Sequence, residues 1–185
     1  MSDKDFIKAY LEDFSALVKP NDQIVEKIIS AKNTLAQAKK NNAKIMIFGN
    51  GGSAAIASHV SVDLTKNAGI RCSNYNEADL ITCFSNDYGY EHWVEKALEA
   101  YADQGDLAIL ISSSGKSQNI LNAVEKANEM GLSVITVSGF LTDNPLRKLG
   151  DLNLWVDSTE YNIVEMTHHV WLVAIIDYLI ETSGK

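Results

Sequence analysis

Residues 45–53 read IMIFGNGGS, and residues 107–117 read LAILISSSGKS. Both follow one design: an apolar run of strand length, a turn of small residues, and the start of a helix. The second turn packs Ser112, Ser113, Ser114 and Ser117 around Gly115. Hydroxyls and bare backbone N–H groups converge there on the positive end of the next helix, which makes an anion site. A phosphate monoester suits it better than a carboxylate. Several short hydroxyl donors can each meet a different terminal oxygen, whereas planar carboxylates more often recruit an Arg fork. One Ser/Gly run alone reads as well as an ordinary loop, but two such turns after two strands point to a site.

Outward from these turns, Phe6, Ile7, Tyr10, Leu11, Phe14 and Leu17 fall at three- and four-residue spacings, which predicts a helix over 3–18 that ends before Pro20. Asn21 or Asp22 caps a second helix through about Lys40, with Ile24, Ile28, Leu35 and Ala38 as its stripe. Residues 1–42 are thus a helical pair ahead of the first strand, and the expected cover for its apolar faces is a second subunit. Strands are predicted at 44–48, 107–112, 133–137 and 152–156, with a weaker fifth at 71–74. Helices alternate with them at 54–66, 78–84, 90–103 and 118–130, and a strongly apolar one closes the chain at about 163–181. That alternation gives an α/β, doubly wound open sheet with ligands at the carboxyl ends of its strands, where both turns sit. Only Pro20 and Pro145 interrupt the chain and no linker-like stretch divides it, so residues 1–185 read as a single domain.

A length of 185 residues with 46% hydrophobic content is enough for the substantial core of an enzyme domain. The formal net charge of −8 argues against broad nucleic-acid binding and against anionic membrane surfaces, so any anion must be held locally. Cys72 and Cys83 lack CxxC spacing, and the amino terminus has no apolar leader or spanning stretch, which makes a reducing cytoplasm the expected location.

Five pieces occur in order: GNGGS (49–53), SNDYGYE (85–91), SSSGKS (112–117), ITVSG (135–139) and YNIVEMTHH (161–169). Each is weak alone. Together they resemble the SIS (sugar isomerase) domain family, in its phosphoheptose isomerase branch, over nearly the whole chain. The resemblance implies a flavodoxin-like five-stranded parallel sheet, a homotetramer with active sites between subunits, and a phosphosugar gripped by the second turn. At matching positions, Ser112, Ser114 and Ser117 would be phosphate ligands, and Ser113 stands where the family often has threonine. Asn50, Gly51, Gly52 and Ser53 of the first turn would face the sugar or its phosphate, and Asn86 and Asp87 match a sugar-contacting pair. Lys116 stands where the family often has asparagine, and either adds charge to the phosphate site or points to solvent.

Aldose–ketose isomerisation moves a proton between C1 and C2 through an enediol, so it needs a carboxylate or His near both carbons. The family carries a His and, four residues on, a Glu after the first turn, and a Gln and a His eight residues apart on the final helix, a set associated with zinc. Here the matching residues are His59, Asp63, Glu165 and Val173, so one acid/base group is missing. His169, one turn from Glu165 on the same face, is the expected replacement. His59, Asp63, Glu165 and His169 then have the types and spacings of a divalent-metal site, with zinc favoured and no nucleotide or organic cofactor. The expected catalytic groups are Asp63 as general base, Glu165 as the acid/base alternative, and His169. His168 reads as a packing or hydrogen-bonding residue.

The function implied is interconversion of a ketose phosphate and an aldose phosphate, with sedoheptulose 7-phosphate and a heptose 7-phosphate for surface-polysaccharide synthesis as the expected pair. Val173 keeps a rival open: a non-catalytic phosphosugar sensor, or a tetrameric adaptor similar to the DnaA initiator-associating protein. The intact SSSGKS turn, with His59, Asp63 and Glu165, favours a working pocket.

Overall fold

A computed structural model describes residues 1–182. Five strands form one all-parallel sheet: β1 (Ile45–Phe48), β2 (Cys72–Ser73), β3 (Leu107–Ser112), β4 (Ser133–Ser138) and β5 (Leu152–Trp155), in the order β2-β1-β3-β4-β5. Every residue of β1 and β3 is buried, which is why both read as continuous apolar runs rather than alternating ones. Ile45 and Ile47 face one layer while Met46 and Phe48 face the other.

Helices cover both faces. On one side lie α2 (Asp22–Lys40), α3 (Gly52–Lys66) and α7 (Tyr161–Thr182), whose Leu35, Ile56, Leu64, Leu172 and Ile176 close the larger core. On the other lie α5 (Trp93–Tyr101) and α6 (Gln118–Glu129), where Trp93, Leu98, Ile120 and Val124 are buried, with α4 (Ala78–Tyr88) at the edge. Each such side chain contributes about 1.5–3 kcal/mol on burial. The strand order reverses between β1 and β3, and a parallel sheet opens its ligand crevice at that point, beyond the carboxyl ends of those two strands. The two Ser/Gly turns follow these strands.

The first helix, α1 (Asp3–Val18), matches its predicted bounds and is closed at its start by a capping box between Ser2 and Asp5. It has no buried residue, and Phe6, Ile7 and Leu11 stand exposed. Asn21 rather than Asp22 caps α2, accepting from the Ile24 N–H at 3.0 Å. Other boundaries move. β2 is only two residues long, and α4 continues through Ser85, Asn86 and Asp87 until Gly89, at φ +91°, ends it. A four-residue 3-10 turn, Pro145–Lys148, links β4 to β5.

Among the described residues α7 is the one helix long and apolar enough to cross a membrane, yet half of its most apolar stretch is buried within this fold. It packs on α1, α2 and α3. Met166, Val170 and Tyr178 remain exposed on its outer side.

Candidate active site

A cavity of about 100 Å³ lies between the two turns, lined by Asn50 and Ser53 from the first, Ser112, Ser113, Ser114 and Ser117 from the second, and Tyr161 and Glu165 from α7. The fold therefore brings together most of the residues expected to bind substrate. Each turn opens a helix. α3 starts after Gly51 and α6 after Ser117, and neither start has a side-chain cap, as is also true of α4 and α5, while α1 and α2 are capped by Ser2 and Asn21. Two uncapped helix starts leave backbone N–H donors and two positive dipole ends aimed at one small space, as an anion requires.

The hydroxyls are arranged in the same sense. Ser112 Oγ donates to Ser117 Oγ at 2.9 Å, Ser117 N–H reaches Ser112 Oγ at 3.4 Å, and Lys116 N–H reaches Ser114 Oγ at 3.3 Å. Ser53 Oγ lies 3.4 Å from Ser113 Oγ and so joins the two turns. Lys116 is exposed and does not line the cavity, so the positive field comes from backbone and helix ends, not from its ammonium.

Two glycines in these turns are required by what lies against them. Gly115 sits at φ +66°, and a Cβ there would run into the buried Asn144 side chain. A Cβ on Gly52 would run into the Glu165 carboxylate, which rests on the first turn of α3. Glu165 also accepts from Ser113 Oγ at 3.5 Å.

Three residues that position the turns, Asn119, Tyr90 and Asn144, carried no signal in the sequence. Asn119 and Asn50 form a reciprocal amide pair at 2.9 Å in each direction, binding the α6 start to the first turn, and Tyr90 OH donates to Asn50 Oδ1 at 3.0 Å. Asn144 Nδ2 donates to Gly139 O at 2.9 Å and Leu141 O at 2.8 Å, and its Oδ1 accepts from Arg147 N–H at 2.9 Å, so it fixes the wall behind Gly115. Amides make such bonds at any sequence separation, and neither spacing nor periodicity reveals them.

His169 turns toward His59. His59 Nδ1 and His169 Nε2 lie 2.6 Å apart, and His59 Nε2 lies 3.3 Å from Asp63 Oδ2. Desolvation first, then the neighbouring His59, holds His169 below the ordinary imidazole value. The fourth member of the expected metal set stands apart, because Glu165 is turned onto Gly52 and Ser113. His59 thus has one ring nitrogen against an imidazole and the other against a carboxylate. As placed, the four side chains do not share a coordination sphere, and among the described residues no group of three or more His, Cys, Asp or Glu could hold a metal ion.

Asn86 and Asp87 are exposed on α4, bonded to each other at 2.9 Å, and this chain does not bring them to the cavity. His168 is fully buried, its Nε2–H donating to Ser138 O at 2.9 Å. Burial drives its pKa down to about 4, so it is a neutral structural residue.

A 2-1-3-4-5 parallel sheet with a small hydroxyl-lined cradle at its switch point and a carboxylate at that cradle defines an α/β protein built to hold a small anionic ligand. A model of the SIS domain family matches residues 9–139, and the chain belongs to that family. Within it, the chain is similar to the phosphoheptose isomerase of Campylobacter concisus, with 34% identity over 89% of this chain and 90% of that protein. The phosphoheptose isomerase of Helicobacter hepaticus shares 37% identity over 84% of this chain and 82% of its own length. The solved structure of the Neisseria gonorrhoeae phosphoheptose isomerase superposes with a TM-score of 0.88 at 26% identity, covering 96% of this chain and 98% of that one.

Proposed function

We propose that this chain is an aldose–ketose isomerase of phosphorylated sugars, acting on a ketoheptose phosphate, sedoheptulose 7-phosphate, to give an aldose heptose 7-phosphate for heptose synthesis. The observation that carries the proposal is the Glu165 carboxylate resting on an uncapped helix start at the wall of the hydroxyl-lined cavity. Similarity to phosphoheptose isomerases over most of the chain supports the heptose.

In this reading the phosphate sits on Ser112, Ser114, Ser117 and the α6 N-terminus, and the sugar extends toward Glu165. Glu165 removes a proton from C1 while the C2 carbonyl oxygen gains one, giving the 1,2-enediol. The C1 hydroxyl then loses its proton as Glu165 returns one to C2, leaving the aldehyde at C1. Because one carboxylate serves both carbons, the missing basic side chain at Val173 is not needed for the proton transfer between C1 and C2. His169 would give and take the oxygen protons, and the Asp63–His59 pair would orient it. Asp63 thus moves from general base to positioning residue, and Glu165 takes its place.

Phe6, Ile7 and Leu11 on α1, with Met166 and Val170 on α7, leave apolar side chains for a subunit contact. A homotetramer would cover them, and a partner copy could then supply Asn86 and Asp87 to the sugar. The test is a product assay with sedoheptulose 7-phosphate on Glu165→Gln and Asp63→Asn. Glu165→Gln is expected to lower kcat at least 100-fold with KM little changed, and Asp63→Asn about tenfold. Tight binding of the sugar phosphate without turnover by the unaltered protein would overturn the proposal in favour of a sensor.

A further inference from the structure

At the β5 edge of the sheet a second cavity, about 270 Å³, opens between the α1–α2 junction, the 3-10 turn, the end of β5 and α7. It shares no lining residue with the cavity between the Ser/Gly turns. Two indoles, Trp155 and Trp171, and two cations, Lys27 and Arg147, line it.

The cations are held in place without being neutralised. The Arg147 guanidinium lies 4.0 Å above the centre of the Trp155 ring and donates to Thr142 O at 2.9 Å. Lys27 Nζ donates to Asn153 O at 2.8 Å. Backbone carbonyls thus anchor each group while leaving most of its N–H donors free. Among the described residues neither has a carboxylate within 4.0 Å, and Asp157 stands exposed at the cavity edge. Lys44, Lys96 and Lys126, by contrast, each sit on Asp or Glu. Burial and then the Arg147 charge pull Lys27 below lysine's ordinary value, so the two cations disfavour each other. The start of α2 reaches the same cavity through Asn21 and Gln23, adding the positive end of a 19-residue helix. In a chain of net charge −8 this is a local concentration of positive charge, two cations against the single Asp157 carboxylate that also lines the cavity and lies beyond 4.0 Å of both.

We propose that this cavity is a second ligand site, taking a small organic phosphate monoester whose phosphate lies between Lys27 and Arg147 and whose organic body lies against Trp155 and Trp171. A dianion meets both charges at once, and the parts of the two indoles that line the cavity offer apolar surface to a sugar ring or a base. The cavity is at the small end of ligand pockets, which limits the occupant to a monosaccharide phosphate or a mononucleotide.

Titration calorimetry and tryptophan emission test the proposal on the full-length protein at fixed ionic strength, with glucose 6-phosphate, AMP and inorganic phosphate as probes. Ser114→Ala/Ser117→Ala first weakens the site between the turns. In that background one equivalent of glucose 6-phosphate or AMP per chain is expected to bind with a change in emission. Adding Arg147→Gln is expected to weaken it at least tenfold, and Lys27→Gln, which keeps a donor for Asn153 O, likewise. With the serines intact, both cation variants are expected to keep isomerase turnover. Tighter binding of glucose 6-phosphate identifies a sugar phosphate as the occupant, and tighter binding of AMP a nucleotide. Absence of binding in the serine variant, or binding indifferent to both cation changes, would overturn the proposal. Equal affinity for inorganic phosphate would overturn the role given to the indoles.

Discussion

Replacing Gly115 by Ala separates two costs that the structure superposes at the phosphate turn. The first is conformational: at φ +66° a residue with a Cβ costs about 1–2 kcal/mol. The second is collision, since the new methyl would run into Asn144, which is 1% exposed and makes three hydrogen bonds to the backbone of residues 139–147. Displacing that amide leaves buried polar groups unpaired, at about 1–3 kcal/mol. The total is about 2–5 kcal/mol. Gly131→Ala supplies the control, because Gly131 has φ +71° and nothing within 4 Å of a built Cβ, so only the conformational cost applies. Urea unfolding at one fixed protein concentration, followed by far-UV circular dichroism, should destabilise Gly115→Ala by at least 1 kcal/mol more than Gly131→Ala. Adding Asn144→Ala to Gly115→Ala should cost less than the sum of the two single changes, because the two nearest colliding atoms, Asn144 Oδ1 and Cγ, are gone and only its Cβ, at 2.8 Å, remains. Equal destabilisation of the two glycine variants would refute the collision argument, and strict additivity would refute the partner assigned.

Ser114→Ala and Ser117→Ala remove hydroxyl donors that an anion would use, and each should raise KM for the sugar phosphate about tenfold with a smaller effect on kcat, read from initial rates. His168, whose ordinary value of 6.5 falls to about 4 on burial, refuses a proton that the unfolded chain accepts. Its contribution is therefore complete above pH 6.5 and falls by about 3 kcal/mol as pH drops toward 4. His168→Gln should flatten stability against pH across that window by about one proton's worth of slope, measured by urea unfolding at several pH values. Phe6→Asp with Leu11→Asp charges the exposed face of α1, and sedimentation velocity should show a smaller assembly than the unaltered chain forms.

The fold was legible because its strands are buried on both faces. Residues 45–48 and 107–112 could be little else, and the turns after them mark the crevice. β2 was least legible, since two half-buried residues, Cys72 and Ser73, carry almost no pattern. The helix predicted over 78–84 stopped short of residues 85–87, yet α4 runs through them until Gly89 supplies the backbone conformation that ends it. The serine cradle could be read from sequence because helix starts and small residues are local features. The amide pair of Asn50 and Asn119 could not, as it spans 69 residues and depends on the packing of β1 against β3. Helical spacing placed Glu165 and His169 on one face, but it could not tell that Glu165 turns to the serines while His169 turns to His59.

Proton NMR of sedoheptulose 7-phosphate in deuterated water with the purified, metal-stripped chain tests the central claim most directly, because solvent exchange at C1 or C2 reports the enediol even without net product. The account predicts exchange at these carbons with an aldose heptose product, little changed by added zinc and lost in Glu165→Gln. Absence of exchange and product with and without zinc would contradict it, and exchange that survives Glu165→Gln would contradict the base assigned here.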